Sequence, residues 1–142
     1  MTESRPPEST DALIVVDLGS IRSGALSGLF GICFVAIGYA LSDRRIDDLA
    51  STAWVYLLLG GLIFSYGLAG YAAGRTRPAM PLTQGILVGF IMFVAWMLIR
   101  AAIATTTSRG SAFALSQLST NLVLAPTCAM FASRFASKNA PR

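Results

Sequence analysis

The chain has 142 residues, of which 54% are apolar and only 13% are charged, whereas about 25% of residues are charged in an average soluble domain. The eleven Lys and Arg residues are scattered over short segments, which argues against nucleic acid as a partner. Histidine is absent, and no Asp or Glu follows position 48, so most of the chain lacks the usual acids, bases and metal ligands. We therefore expect no enzyme activity, no cofactor and no metal site.

Residues 1–20 are predicted to form a cytoplasmic tail that is disordered or lies at the membrane interface. The first eleven residues are polar and include two prolines, so they bury too little apolar surface to offset the entropy of ordering. The apolar stretch at 12–18 is too short to cross a bilayer. Acidic residues also outnumber basic ones in this segment, which argues against a cleaved signal peptide.

Four apolar stretches follow, each long enough to cross about 30 Å of hydrocarbon as a helix. They cover approximately residues 23–41, 53–73, 82–103 and 112–132, within a region that extends from 21 to 133. The connections between them are short, so consecutive helices must be antiparallel. The sequence thus predicts an all-α fold, a membrane-embedded antiparallel four-helix bundle with short loops.

The first two spans carry glycines at matching depths. In an antiparallel pair, residues symmetric about one point in the sequence lie at the same depth, and four glycine pairs are symmetric about position 49. These pairs are Gly24 with Gly74, Gly28 with Gly70, Gly31 with Gly67, and Gly38 with Gly60. Small residues allow close approach of helices in lipid, so we expect these eight to form the contact, with Gly61 outside it. The alternative is that glycine is simply frequent in membrane helices.

The third span contains a second spaced glycine pair. Gly85 and Gly89 are four residues apart, and antiparallel pairing predicts that they face Ala125 and Ala129 of the fourth span. Near the outer end of this span, Arg100 is expected to extend its long side chain to the headgroups. The ring of Tyr39, in the first span, is expected at the same interface as an aromatic anchor.

The fourth span is the least apolar and is interrupted by Pro126. Its candidate functional side chains are Gln117, Thr120 and Asn121. An amide near the centre of a bilayer requires a hydrogen-bond partner, so Asn121 is expected to face the bundle or another subunit. Three roles remain open for these residues: hydrogen bonding between helices, contact within an oligomer, or the wall of a solute path. Candidate partners for Asn121 are Ser65, Tyr66 and Trp96.

The distribution of cations predicts the topology. Seven Lys or Arg residues lie on the side of the termini, and four lie on the other side. The seven include the cations of a basic tail at 134–142, which is expected to contact anionic lipid. The seven are Arg5, Arg22, Arg75, Arg77, Arg134, Lys138 and Arg142, and the four are Arg44, Arg45, Arg100 and Arg109. By the positive-inside rule, both termini are expected to be cytoplasmic.

The segment from Gly67 to Gly74 is rich in glycine and alanine, and it ends at Arg75. A proline-containing turn follows, and after it comes the Gly85/Gly89 pair. This arrangement resembles a class of uncharacterised small bacterial four-span membrane proteins. The resemblance implies a location in the bacterial inner membrane and no assigned activity.

Two functions fit these features. The first is a non-enzymatic structural or interaction subunit that binds membrane lipids, another membrane protein or itself. The alternative is a small oligomeric transporter or channel component whose path is lined by the fourth span. Proton-coupled export of the small multidrug type is disfavoured because no Glu follows position 8.

Cys33 and Cys128 both lie within spans and are interpreted as packing residues.

Overall fold

The computed structural model describes residues 17–41, 53–76, 79–106 and 115–139, and 96% of them are helical. The four helices are α1 (Leu18–Leu41), α2 (Ala53–Thr76), α3 (Pro81–Thr106) and α4 (Leu115–Lys138). No strand occurs within these described ranges, which confirms the all-α class and is compatible with a helical bundle. The predicted N-terminal tail, up to residue 16, lies outside the described residues.

The helix ends follow from local chemistry. Asp17 precedes α1, and its carboxylate accepts a hydrogen bond of 3.1 Å from the Gly19 amide, as an N-cap residue does. Pro81 occupies the first position of α3, where a missing N–H group costs nothing. The fourth helix continues to Lys138, so the predicted basic tail from 134 onward begins inside a helix.

The helices are arranged with α2 and α3 in the middle. Helix α1 packs mainly against α2, while α2 and α3 both pack extensively against α4. Over their described residues α1 and α4 share no contact, so they lie on opposite sides of the molecule. The short loops predict the α1–α2 and α3–α4 contacts, but the large contact between α2 and α4 joins helices that are not consecutive.

One apolar core connects all four helices. It consists of Ile32, Val35, Leu62, Tyr66, Ala69, Ala73, Val88, Met92, Trp96 and Ala125. The three alanines in this set come from α2 and α4, and they allow the larger side chains of α1 and α3 to pack against those helices at short range.

Two predicted interface residues are buried. Tyr39 is 7% exposed and Arg100 is 6% exposed, so both side chains are packed within the bundle and do not extend from it. Their position at the outer membrane interface stays a prediction. Helices α1 and α3 are parallel, with Gly24 against Val88 and Gly28 against Met92, so the ends that carry Tyr39 and Arg100 lie on the same side of the bundle. Arg100 has an interaction partner in this environment.

Three helices are long and apolar enough to cross a membrane: Leu18–Ala40, Tyr56–Thr76 and Pro81–Thr105. Within the described part of the chain, α4 does not meet the same standard. Its first half contains Ser119, Thr120 and Asn121 in place of large apolar residues, which lowers its hydropathy. Length and composition therefore support a membrane span for three of the four predicted helices.

Candidate interaction site on the fourth helix

The glycines of α1 bring it close to α2. A Cβ atom added at Gly24 would lie 2.7 Å from the Ala69 carbonyl oxygen, and one added at Gly28 would lie 2.7 Å from the Ala69 Cβ. A Cβ at Gly31 would overlap the Ser65 side chain. The midpoints of the three pairs along the chain lie at 46.5, 48.5 and 48, close to the predicted centre at 49. Alanine and serine, however, stand where glycines were expected.

The predicted facing of Gly31 and Gly67 is therefore wrong. Among the described residues, no atom outside the neighbouring turns of α2 lies within 4 Å of a Cβ added at Gly67 or at Gly60, and a Cβ at Gly38 would meet Leu58 only at 3.8 Å. Residues two positions apart on a helix point in nearly opposite directions, so Gly67 faces away because Ser65 faces α1. Gly61, which the register left out, does face α1: its added Cβ would lie 2.7 Å from Val35 Cγ2.

The remaining two glycines of α2 pack against α4 instead of α1. A Cβ at Gly70 would lie 2.5 Å from Ala129 Cα, and one at Gly74 would lie 2.6 Å from Ser133 Cα. Both pairs have the same separation along the chain, as parallel helices require. The sequence predicted that these two glycines contact α1, because short loops constrain only consecutive helices.

Helix α3 approaches α4 through the predicted pair. A Cβ at Gly85 would lie 2.9 Å from the Ala129 carbonyl oxygen, and one at Gly89 would lie 2.8 Å from the Ala125 carbonyl oxygen. The predicted contact of this pair with Ala125 and Ala129 is thereby confirmed. The small-residue face of α4, which we define as Ala125, Ala129 and Ser133, is thus enclosed between α2 and α3.

Buried hydroxyl groups tie the helices together at the end of the bundle where α1 begins. The Ser20 hydroxyl donates to the Ala73 carbonyl oxygen at 2.7 Å, and the Ser133 hydroxyl donates to the Pro81 carbonyl oxygen. Gln84, on α3, is 1% exposed, and its side-chain oxygen accepts no hydrogen bond from the described residues. Sequence reasoning missed this polar cluster, because isolated serines in apolar helices give no spacing pattern.

The opposite face of α4 is exposed and carries hydroxyl groups. We define the hydroxyl face as Ser119, Thr120 and Thr127, all of which are exposed. Together with Val123 and Leu124 they line a shallow pocket of about 440 Å³. The Thr127 hydroxyl donates to the Val123 carbonyl oxygen at 2.6 Å, within its own helix. Thr120, one of the predicted functional residues, therefore points away from the bundle.

Of the two predicted amide residues, Asn121 lies next to this face. Gln117 belongs to α4, but its side chain is outside the described residues. Asn121 is half-buried, and it has an interaction partner in the structure. Of the candidate partners, Ser65 donates its hydroxyl to the Gly61 carbonyl oxygen of its own helix at 2.7 Å. The role of Asn121 in hydrogen bonding between helices stays a prediction.

The two cysteines lie far apart. Cys33, on α1, is an exposed free thiol, and Cys128, on α4, is a half-buried free thiol. Their helices share no contact over the described residues, so the two thiols cannot pair within one chain. Cys128 packs against the core, as expected, whereas exposure makes Cys33 a surface residue of α1.

Comparisons of this chain with protein families, curated proteins and solved structures find no match.

Proposed function

We propose that this protein is a non-enzymatic, multi-pass protein of the cell inner membrane that acts by association. The hydroxyl face of α4 is its contact with another membrane protein or with a second copy of the chain. In this proposal all four helices cross the membrane and both termini are cytoplasmic. The observation that carries it is the outward position of Ser119, Thr120 and Thr127.

The membrane location is supported by the surface of the other helices. Large apolar side chains are exposed along α1, including Phe30 at 68% and Phe34 at 63%, whose rings stack edge to face 5.0 Å apart. Soluble monomers rarely expose a continuous apolar patch of this kind, whereas lipid solvates it well. Helices α2, α3 and α4 also expose large apolar side chains, among them Leu57, Leu98 and Phe135.

The orientation is supported by charge. Four exposed cations lie at the end of the bundle where α1 begins and where α2 and α4 end: Arg22, Arg75, Arg134 and Lys138. Toward the other end the described helices contribute Arg100, which is buried. A cluster of Lys and Arg residues marks the cytoplasmic side of a membrane protein, so the cationic end is assigned to the cytoplasm.

The hydroxyl face suits a protein partner better than acyl chains. Between positions 119 and 127 the exposed residues of α4 include the hydroxyl-bearing Ser119, Thr120 and Thr127 beside the apolar Leu122 and Val123. Helix α1, in contrast, exposes mainly large apolar side chains such as Phe30 and Phe34. Small and hydroxyl-bearing residues are enriched where membrane helices meet, because they permit close approach and hydrogen bonds across the interface. The small side chains of this face would let a partner helix approach closely.

Transport remains the second candidate, and it uses the same face. The glycines at 70, 74, 85 and 89 bring α2 and α3 into contact with the backbone of α4, which fills the space between those helices. Thr120 lies outside that packed region. A solute path lined by the fourth helix would therefore form between subunits of an oligomer, not through one chain.

Affinity purification from native membranes in mild detergent, with mass spectrometry of what is retained, tests the proposal. Val123 lies between the hydroxyl-bearing residues and is 66% exposed, so Val123→Trp should block close approach without disturbing the core. Phe34→Trp, on the opposite side of the bundle, is the matched control. Size-exclusion profiles of both variants establish that they fold.

We expect the wild type and Phe34→Trp to retain a stoichiometric partner or to form an oligomer, and Val123→Trp to lose it. A wild-type oligomer that moves ions or solutes in liposomes would favour the transport alternative. Retention of the same partner by all three proteins would contradict the assignment of the hydroxyl face.

A further inference from the structure

A second pocket lies at the cationic end of the bundle, away from the hydroxyl face. It has a volume of about 460 Å³ and is lined by Ala79, Met80, Pro81, Leu82, Thr83 and Arg134. The Ser133 hydroxyl donates to the Pro81 carbonyl oxygen, and this bond holds the last turns of α4 against the start of α3. Arg134, the next residue, thereby stands at the wall of the pocket.

The electrostatics of this end favour an anion. Arg134 is exposed, and Lys138, one turn further along α4, is exposed on the same side of the helix. Asp17 is the single acidic residue in the described part of the chain, and its carboxylate is engaged at the start of α1. The positive end of the α3 dipole adds to the potential.

Apart from Thr83, the other residues that line the pocket are apolar. Met80 is 39% exposed and Leu82 is 43% exposed, and both large apolar side chains line the same pocket as Arg134. An inorganic anion would leave that apolar surface uncovered. A phospholipid would cover it with the upper part of its acyl chains while its phosphate lies against the cation, and basic pockets between helices at the cytoplasmic side are known to hold such headgroups.

We propose that this pocket binds the headgroup of an anionic phospholipid, with Arg134 contacting the phosphate. The inference rests on the membrane location in the proposed function but not on the contact through α4. Failure of the partner experiment above therefore leaves it intact. Recovery of the protein in the soluble fraction would instead remove the basis of both proposals.

Native mass spectrometry of the detergent-purified protein tests the site. The probes are phosphatidylglycerol, phosphatidylcholine with the same acyl chains, and inorganic phosphate. Arg134→Gln removes the cation that lines the pocket. The matched control is Arg75→Gln, which removes an exposed cation at the same end of the bundle that does not line the pocket.

We expect the wild type to retain phosphatidylglycerol in preference to phosphatidylcholine. Arg134→Gln should reduce the retained phosphatidylglycerol about fivefold, while Arg75→Gln leaves it near the wild-type level. Equal retention of the two lipids would overturn the proposal, as would equal losses in the two variants, which would indicate diffuse attraction to the whole cationic end. Displacement of phosphatidylglycerol by inorganic phosphate at similar concentration would assign the pocket to a free anion instead.

Discussion

At the scale of single residues, the glycines of α2 differ in what stands opposite to them. Gly70 and Gly74 lie against the backbone of α4, which cannot yield, whereas none of the described residues of another helix lies within 4 Å of a Cβ added at Gly60 or Gly67. The sequence does not distinguish the glycines that pack against α4 from those that do not, because all four lie in one apolar helix. The residues that Gly70 and Gly74 contact, Ala129 and Ser133, are also small. Because they are not glycines, they do not appear in a pattern of facing glycines.

A single methyl group should distinguish these positions. Gly70→Ala is expected to reduce the free energy of unfolding by about 1–3 kcal/mol, since the added Cβ would overlap the Ala129 backbone and force α2 away from α4. Gly67→Ala, one turn away on the same helix, should be neutral or stabilising by up to about 1 kcal/mol through helix propensity alone.

Unfolding of the purified variants in mild detergent, induced by a denaturing detergent, measures both changes. Gly60→Ala is a second control, because its added Cβ is also unopposed. Equal destabilisation by Gly70→Ala and Gly67→Ala would mean that α2 is rotated relative to the arrangement described above.

At the scale of helices, the sequence predicted the depth at which α1 and α2 meet but not the faces that meet. Depth follows from the length of the connecting loop, which places residues symmetric about one point side by side. The rotation of each helix depends on which face packs best, and α1 and α2 are apolar on every side, so their periodicity carries little information about it. The contact between Gly31 and Ser65 is centred on position 48, one residue from the predicted centre at 49, yet Gly31 meets Ser65 and not Gly67.

Disulfide cross-linking tests this rotation. In a background without Cys33 and Cys128, the double variant Gly31→Cys/Ser65→Cys should cross-link readily within one chain under mild oxidation. A Cβ at Gly31 would lie 3.0 Å from the Ser65 Cβ, near the separation of about 3.5–4.5 Å found in disulfides. The control pair, Gly31→Cys/Gly67→Cys, should not cross-link, because the second side chain points away from α1.

The fraction cross-linked is measured by gel mobility after cleavage of the connecting loop. Preferential cross-linking of the Gly31/Gly67 pair would restore the register of facing glycines and contradict the observed contact. Cross-linking in both pairs at the same rate would indicate that α1 rotates freely against α2.

At the scale of the whole molecule, the number and length of the helices could be predicted, but not all of their neighbours. Four apolar runs separated by polar segments determine four helices, and the observed elements extend the predicted ones by a few residues at several ends. Short loops constrain only consecutive helices. The packing of α2 against α4, and the separation of α1 from α4, depend on small residues distant in sequence, such as Gly70 and Ala129.

The charge asymmetry of the molecule yields a prediction about its orientation. Four exposed cations lie at one end of the helices, the end that holds the start of α1 and the last turns of α4. If this end is cytoplasmic, cysteines placed near either terminus should be protected from a membrane-impermeant thiol reagent in intact cells. Suitable sites are Ser4 and Asn139, and the latter is exposed just beyond α4, whereas Ser137 is half-buried and bonded to the Arg134 carbonyl oxygen.

The labelling is done in a background without the native thiols. Ser4→Cys and Asn139→Cys should react only after the cells are permeabilised, whereas Thr107→Cys, in the predicted outer loop between α3 and α4, should react in intact cells. Labelling of Asn139→Cys from outside, with protection of Thr107→Cys, would reverse the topology. It would also move the lipid pocket beside Arg134 to the outer leaflet. Labelling of Ser4→Cys and Asn139→Cys on opposite sides would require an odd number of crossings, and α4, the least apolar of the four helices, would then be the one that does not span the membrane.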